Sequence, residues 1–297
     1  MGIKVIVISN LWVSADYMVD MLNRVGVEAK FLPATKIGMS YKKVKEIEKD
    51  IKEFDIVHLI SGYQRIKLLT WLRSLGKKVI NHWVGSDVLK VLEDRKTRLL
   101  AHMTDKLIDA QFAKAKHLIR ELKQAGISAT YLPSVPPIDK KVSLRYKRGV
   151  LVYIPFDRVD FHRGKEILEL AKLFPEIDFH VVDNKGKGLP LEPNIHYYGW
   201  VDNMEPIWEK VSVLIRYPKH DGLSSLVLEA LVRGKWVIWN QRLKHCSYVK
   251  NREKVLYELA NLLRKEDLNL ESRQFVLKEF DPKKIGKQYI EIYENLL

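Results

Sequence analysis

Two short stretches of this chain carry side chains able to do chemistry together. The first runs over residues 211–240, VSVLIRYPKHDGLSSLVLEALVRGKWVIWN. A buried strand over 211–215 would end in a polar loop with Arg216, His220 and Asp221. A helix with apolar Leu226, Leu228, Leu231 and Val232 would follow, and Gly234 is placed to end it. A loop entering a helix at Gly222-Leu223-Ser224-Ser225 offers unpaired backbone N–H groups, hydroxyls and the positive end of the helix dipole. That is a cradle for a phosphate. Glu229 sits between Leu228 and Ala230, so its carboxylate must be paired or accept a ligand's hydroxyls. The second stretch is Phe156-Asp157-Arg158-Val159-Asp160-Phe161-His162-Arg163-Gly164-Lys165, between a strand and a helix. Two guanidiniums there, Arg158 and Arg163, can clamp a diphosphate by bidentate contacts. Lys165 is a rival for the second cation. Plainer readings use the same residues: Asp221 and Ser224 as helix caps, Glu229 in an ion pair, and the arginines as a solvated turn.

Elements that would position these groups recur along the chain. Apolar, strand-like runs fall at 3–9, 29–32, 56–60, 78–81, 106–110 and 129–132, with amphipathic helical stretches such as 15–25, 42–51 and 67–75 between them. A Pro-rich and then basic segment from Pro133 to Gly149 breaks the pattern and reads as a linker. Strands then return at 150–154, 178–182, 195–198, 211–215 and 236–239. Helices are expected at 167–174, 224–233, 254–264 and 270–280. Continuously apolar strands alternating with helices imply parallel sheets, so the fold class is α/β with two doubly wound domains. The domains are placed at 1–145 and 146–281, with a helix over 282–297 that caps the second domain or crosses back to the first.

The composition narrows the function classes. The chain has 297 residues, 46% hydrophobic and 30% charged, enough apolar material for about two domains of roughly 150 residues. Cys246 is the single cysteine, which leaves no intramolecular disulfide and no Cys-rich zinc site. The opening Gly2-Ile3-Lys4-Val5-Ile6-Val7-Ile8 reads as a first strand rather than a signal peptide, and a cytoplasmic location is expected. No G-x-G-x-x-G follows that strand, and no P-loop, H-E-x-x-H or G-x-S-x-G is present. Residues 1–148 hold 28 basic and 15 acidic side chains, a net of +13; residues 149–297 hold 23 and 22, a net of +1. The excess suits an anionic partner or, equally, a lysine-rich solubilising surface. No RRM, KH or zinc motif accompanies it, so no specific nucleic-acid partner is expected.

The stretch from Asp221 resembles the Glu-x7-Glu signature of retaining GT-B glycosyltransferases of the family-4 type. That signature, E-G-x-x-x-x-x-x-E-A-x-x-x-G-x-x-V-I, reads here as Asp221-Gly222, Glu229-Ala230, Gly234 and Val237-Ile238, with Asp in place of the first Glu. The family's Arg-x4-Lys-Gly reads as Arg158 and Arg163-Gly164, with Arg in place of Lys. Gly199-Trp200-Val201 is similar to the loop whose backbone lines the nucleobase. The resemblance covers residues 150–240 well, the C-terminal helices loosely and the first half weakly. There, His82-Trp83 and Ser86-Asp87 look like an interdomain-facing strand end, and the family's Gly-Gly loop is replaced by Ser9-Asn10-Leu11-Trp12.

The resemblance implies two Rossmann-like domains facing across a cleft, with the second holding a nucleotide-diphosphate sugar and the first holding the acceptor. Arg158, Arg163 and the amides of Gly222, Leu223, Ser224 and Ser225 would stabilise charge on the leaving diphosphate. Glu229 would bind ribose hydroxyls, and Asp221 hydroxyls of the transferred sugar. Lys165, Trp200 and Val201 would complete the donor site, and His82 would contact donor or acceptor sugar. The reaction would retain anomeric configuration and need neither metal nor cofactor. The acceptor would be a sugar or a lipid-linked or otherwise anionic molecule. The basic first half, notably Lys42-Lys43-Val44-Lys45-Glu46-Ile47-Glu48-Lys49, would then bring the protein peripherally to the inner face of a membrane. A catalytically inactive nucleotide- or sugar-binding relative is the alternative, and a sugar-nucleotide epimerase a more distant one.

Overall fold

The computed structural model describes residues 2–34, 41–62, 65–138 and 141–297; of residues 12 and 41–46 it describes the backbone. The side chains of Trp12, Lys42, Lys43 and Lys45 thus lie outside the described residues. The chain divides into two compact units, residues 1–137 with 280–297, and residues 138–279.

The first unit alternates strands and helices, with two helices between its fourth and fifth strands. Its elements begin β1 (Lys4–Ser9), α1 (Trp12–Arg24), β2 (Glu28–Pro33), α2 (Tyr41–Lys52), β3 (Ile56–Ile60) and α3 (Ile66–Ser74). They continue with β4 (Lys78–Trp83), α4 (Ser86–Glu93), α5 (Arg95–Asp105), β5 (Ala110–Ala113), α6 (Lys116–Gln124) and β6 (Thr130–Tyr131). The six strands pair in parallel in the order β2-β1-β3-β4-β5-β6. β1 and β3 are almost wholly buried, as expected of strands apolar on both faces. Ile6, Ile8, Ile51, Phe54, Val57, Leu59, Leu69, Leu72 and Val79 form one core with them.

The second unit is again a parallel sheet with helices, though two of its strands follow the preceding strand without a helix between. It holds β7 (Gly149–Tyr153), α7 (Gly164–Leu168), β8 (Asp178–Val182), β9 (Ile195–Tyr197), α8 (Glu205–Trp208) and β10 (Val213–Arg216). Then come α9 (Ser225–Val232), β11 (Trp236–Trp239), β12 (Cys246–Tyr248), α10 (Arg252–Leu262) and α11 (Leu270–Glu279). Its parallel order is β12-β11-β10-β7-β8-β9. The order therefore reverses between β7 and β10. In open α/β sheets the crevice at the carboxyl ends of such a pair is where ligands bind.

Several expected bounds move. The strand expected at 106–110 is β5 at Ala110–Ala113, because 95–105 coils into α5 and Leu107 and Ile108 fill the turn after it, packed on the core. The helix expected at 167–174 starts earlier and tightens into a 3₁₀ turn over Glu169–Leu173. α9 ends where Gly234 suggested it should. Gly234 has φ +67, its N–H donates to Leu231, and the Lys235 N–H donates to Ala230, a Schellman closure.

The last helix, α12 (Pro282–Leu296), belongs to the first unit and packs on α1: a Cβ at Gly286 would stand 2.7 Å from Val25 Cγ1. It also covers the middle of the sheet. The Tyr293 hydroxyl lies 2.9 Å from His58 Nδ1, and His58 Nε2 lies 3.2 Å from His82 Nδ1. The Tyr289 hydroxyl donates to the Pro133 carbonyl and lies 3.5 Å from the same His82 nitrogen.

Candidate functional site

The carboxyl ends of β7 and β10 gather one cluster of polar side chains. Tyr153 ends β7 and Arg216 ends β10. The loop after β7 carries Arg158, His162 and Arg163, and the loop after β10 carries Tyr217 and Asp221. These loops are joined: the Lys219 N–H donates to the Phe161 carbonyl at 2.7 Å. Arg163 lies over the Tyr217 ring at 4.2 Å, and Arg158 lies over the Phe161 ring at 4.0 Å. Among the described residues, no carboxylate pairs with Arg158 or Arg163. They are cations held in place by aromatic faces.

The backbone is forced here. Arg163 has φ +52 and Asp183, just past β8, has φ +66, left-handed values that ordinary side chains rarely adopt. Gly164 follows Arg163 because nothing larger fits: a Cβ would stand 2.8 Å from the Ile154 side chain. The Tyr153 hydroxyl donates to the Asp183 carboxylate, and burial followed by the Asp183 charge pushes its pKa up to about 12, so it stays a neutral donor. His162 is 6% exposed; burial, reinforced by the Arg216 charge, lowers its pKa to about 3, so its ring is neutral.

Asp221 and Arg216 form a buried pair, their side chains 13% and 12% exposed. Arg216 Nε donates to Asp221 Oδ2 at 2.8 Å and a terminal nitrogen to Oδ1 at 3.2 Å. Trp239 Nε1 donates to Oδ2 at 3.2 Å, and the Gly222 N–H to Oδ1 at 3.1 Å. A carboxylate has about four acceptor positions, and all four are filled from within the protein. Burial works to raise the Asp221 pKa, but the Arg216 charge and these donors outweigh it and hold the group below the usual carboxylate range. Asp221, expected to hold hydroxyls of the transferred sugar, thus accepts from Arg216, Trp239 and Gly222 at the loop that leads into α9.

The other expected site residues divide by position. Ser224 is the N-cap of α9, and its side chain makes no cap hydrogen bond. Gly222, Leu223 and Ser224 are buried, Ser225 and Glu229 half-buried. Lys165 is exposed. Trp200 is 65% exposed, its indole N–H donating to Asp202, next to half-buried Val201. The Asp183 N–H donates to the Gly199 carbonyl, so this turn adjoins the β8 end. His82 is fully buried in the first unit, under Tyr289 and beside His58. Burial, with the Lys114 charge, lowers its pKa to about 3. Trp83 is also at 0% exposure and donates to Gln111, so both are core residues. Sequence reasoning did not assign Tyr153, His162, Asp183 or Arg216. The available signal was positional: each lies at or just beyond the carboxyl end of β7, β8 or β10.

No protein-family model and no curated protein sequence matches the chain. Solved structures do. HepE of Anabaena, in complex with UDP and glucose, superposes with a TM-score of 0.76 at 9% identity, over 99% of this chain and 100% of that one. Sucrose-phosphate synthase from Thermosynechococcus elongatus gives 0.74 at 11% identity, over 99% of each chain. TarM of S. aureus gives 0.66 at 12% identity, over 84% of this chain and 58% of that one. The fold is that of the GT-B glycosyltransferases. At such identities the likeness carries the fold, and the chemistry must be argued from the cluster at β7 and β10.

Proposed function

We propose that this chain is a glycosyltransferase that moves a sugar from a nucleoside-diphosphate sugar held by the second unit. The observation that carries the reading is the pair Arg158 and Arg163. They are free of carboxylates among the described residues, at the sheet's switch point, on a loop bonded to the loop that enters α9. The two guanidiniums and the first-turn amides of α9 would take the diphosphate. Glu229, on the same helix, would accept ribose hydroxyls, and the Gly199–Val201 turn with exposed Trp200 would meet the base. Arg216 and Asp221 act as positioning residues, since each is engaged by the other.

In the reaction the bond between the anomeric carbon and the diphosphate oxygen breaks, and negative charge grows on the leaving group. Cations and amides set in advance lower that barrier, a contribution of about 3–4 kcal/mol per well-aimed donor in comparable sites. The acceptor hydroxyl attacks from the face the diphosphate leaves and gives its proton to a diphosphate oxygen. The anomeric configuration is therefore retained, and no metal ion takes part in this scheme. HepE, with UDP and glucose bound, is a fold precedent for such a donor.

Calorimetry with UDP, GDP and ADP tests the anion site. Removing a hydrogen bond to a charged group costs about 1.5–3 kcal/mol, so Arg158→Ala and Arg163→Ala should each weaken the preferred diphosphate about 10- to 100-fold. Unchanged affinity for all three in the double variant would refute the assignment. Incubation with the matching sugar nucleotide should release sugar slowly, as the retained anomer and equally in EDTA. The filled carboxylate of Asp221 favours one competing reading, a nucleotide-binding protein without turnover. That reading predicts tight diphosphate binding and no sugar release.

A further inference from the structure

The outer face of α5 mixes two kinds of side chain that a plain solubilising surface keeps apart. At about 100° per residue, Arg95, Lys96, Leu99, His102, Met103 and Lys106 fall within an arc of about 120°. All six are exposed. Leu99 is 61% exposed and Met103, one turn on, is 56% exposed. The opposite side of the helix is inward, with Ala101 and Thr104 buried. Asp94 and Asp105 fall outside the arc, and both are engaged. Asp94 caps the helix by accepting from the Lys96 and Thr97 N–H groups, and Asp105 accepts from the Gln111 side chain. His102 borders the end of α6, lying 3.2 Å from where a Cβ at Gly126 would be. Lys123 in the last turn of α6 is exposed as well. The face is thus an apolar pair framed by cations, with no carboxylate inside the frame.

The unit as a whole has the matching charge. Residues 1–137 with 280–297 hold 26 basic and 17 acidic side chains, a net of +9. Solubility accounts for the lysines; what sets Leu99 and Met103 apart is that they stand one turn from each other within the same cationic arc. A nucleic acid would use the cations and gain nothing from Leu99 and Met103. A second copy seated on the same face would set like charge against like.

We propose that this α5 face docks the protein on an anionic lipid membrane. Leu99 and Met103 enter the boundary between headgroups and acyl chains, and Arg95, Lys96 and Lys106 lie against the lipid phosphates. With two apolar side chains the attachment is weak and reversible, and it depends on charge. Each cation near such a surface contributes about fivefold in partitioning. The proposal rests on the first unit alone. Together with the transferase reading it would make the acceptor a lipid-linked one.

The test sediments the full chain, without donor, with phosphatidylcholine vesicles containing or lacking phosphatidylserine. Binding is expected to the anionic vesicles only and to fall as salt rises. The Leu99→Ser/Met103→Ser variant should lose binding severalfold at unchanged thermal midpoint. Arg95→Gln/Lys96→Gln/Lys106→Gln should lose it by about 100-fold, as three factors of about five multiply. Equal partitioning to neutral vesicles overturns the proposal, as does full binding by the double serine variant. A dimer in sedimentation equilibrium that the double serine variant dissolves would assign the face to a second copy and overturn it too. UDP, GDP and ADP binding is measured in parallel. Its absence in the unaltered protein, with vesicle binding intact, counts against the donor site and leaves the docking face standing.

Discussion

Replacing Asp221 by Ala separates a carboxylate that binds sugar from one that holds a loop. In the structure Arg216 and Asp221 are 12% and 13% exposed and meet at 2.8 and 3.2 Å, so removing one partner strands a charge out of water. Breaking a buried pair from one side costs about 3–5 kcal/mol. Two further donors, Trp239 Nε1 and the Gly222 N–H, lose their acceptor as well. At about 2–4 °C per kcal/mol for a domain of this size, the thermal midpoint should fall by roughly 6–20 °C. The double variant Arg216→Met/Asp221→Leu leaves no stranded charge and should recover most of that loss. The assay is thermal unfolding of the full chain, with diphosphate binding and sugar release in parallel. If Asp221→Ala unfolds like the unaltered protein yet loses sugar release, the carboxylate works on substrate and the loop-holding argument fails. The pair also sets a pH limit. Because the folded-state pKa of Asp221 is lowered, its stabilisation is fully present above the unfolded value of about 4 and is lost as pH falls through the folded value.

Other expected outcomes concern the packing around the site and the last helix. His58 and His82 are buried neutral, and burial, the first cause for both, lowers their pKa values, that of His82 to about 3. The unfolded chain binds more protons below about pH 6.5, so stability should be complete above that pH and decline towards pH 3, by up to about 1.4 kcal/mol per pH unit and histidine. Urea midpoints at pH 7, 5.5 and 4.5 read the slope, and a His82→Gln variant with an unaltered slope would exclude His82 as a source. Gly164→Ala puts a methyl 2.8 Å from Ile154 and should cost about 1–3 kcal/mol and weaken diphosphate binding through Arg163; calorimetry matching the unaltered protein would contradict this. Lys235 is 1% exposed and donates to the Arg145 and Val211 carbonyls, so Lys235→Met should loosen the 141–148 segment, read as faster amide exchange there.

The alternation of apolar runs and helices was legible, because a strand buried on both faces is written in consecutive residues. β8 and β11 stand at the expected bounds, Asp178–Val182 and Trp236–Trp239. Short edge elements were not legible. β12, at Cys246–Tyr248, has three half-buried residues and takes its strand character from pairing with β11. His82 shows the same limit for side chains. A histidine at a strand's carboxyl end invites a ligand role, and what buries it here is Tyr289, 207 residues away. The Arg216–Asp221 pair was hidden for another reason. The two are five residues apart across a loop, where no helical or strand period says which side chains face each other.

The cluster at β7 and β10 contains three guanidiniums, and the protein treats them unequally. Arg216 is neutralised by Asp221 and roofed by Tyr153, its guanidinium 5.1 Å from the ring centre. Arg158 and Arg163 have aromatic faces beside them and no carboxylate among the described residues. Acids stand nearby in sequence at Asp157 and Asp160; Arg158 is itself exposed and Arg163 half-buried. Arg163 is also left-handed, a conformation that costs such a side chain about 1–2 kcal/mol. Strain and uncompensated charge at one point are explained together if the missing counter-charge is supplied by a ligand. A diphosphate would supply that counter-charge at the place where the strand order reverses.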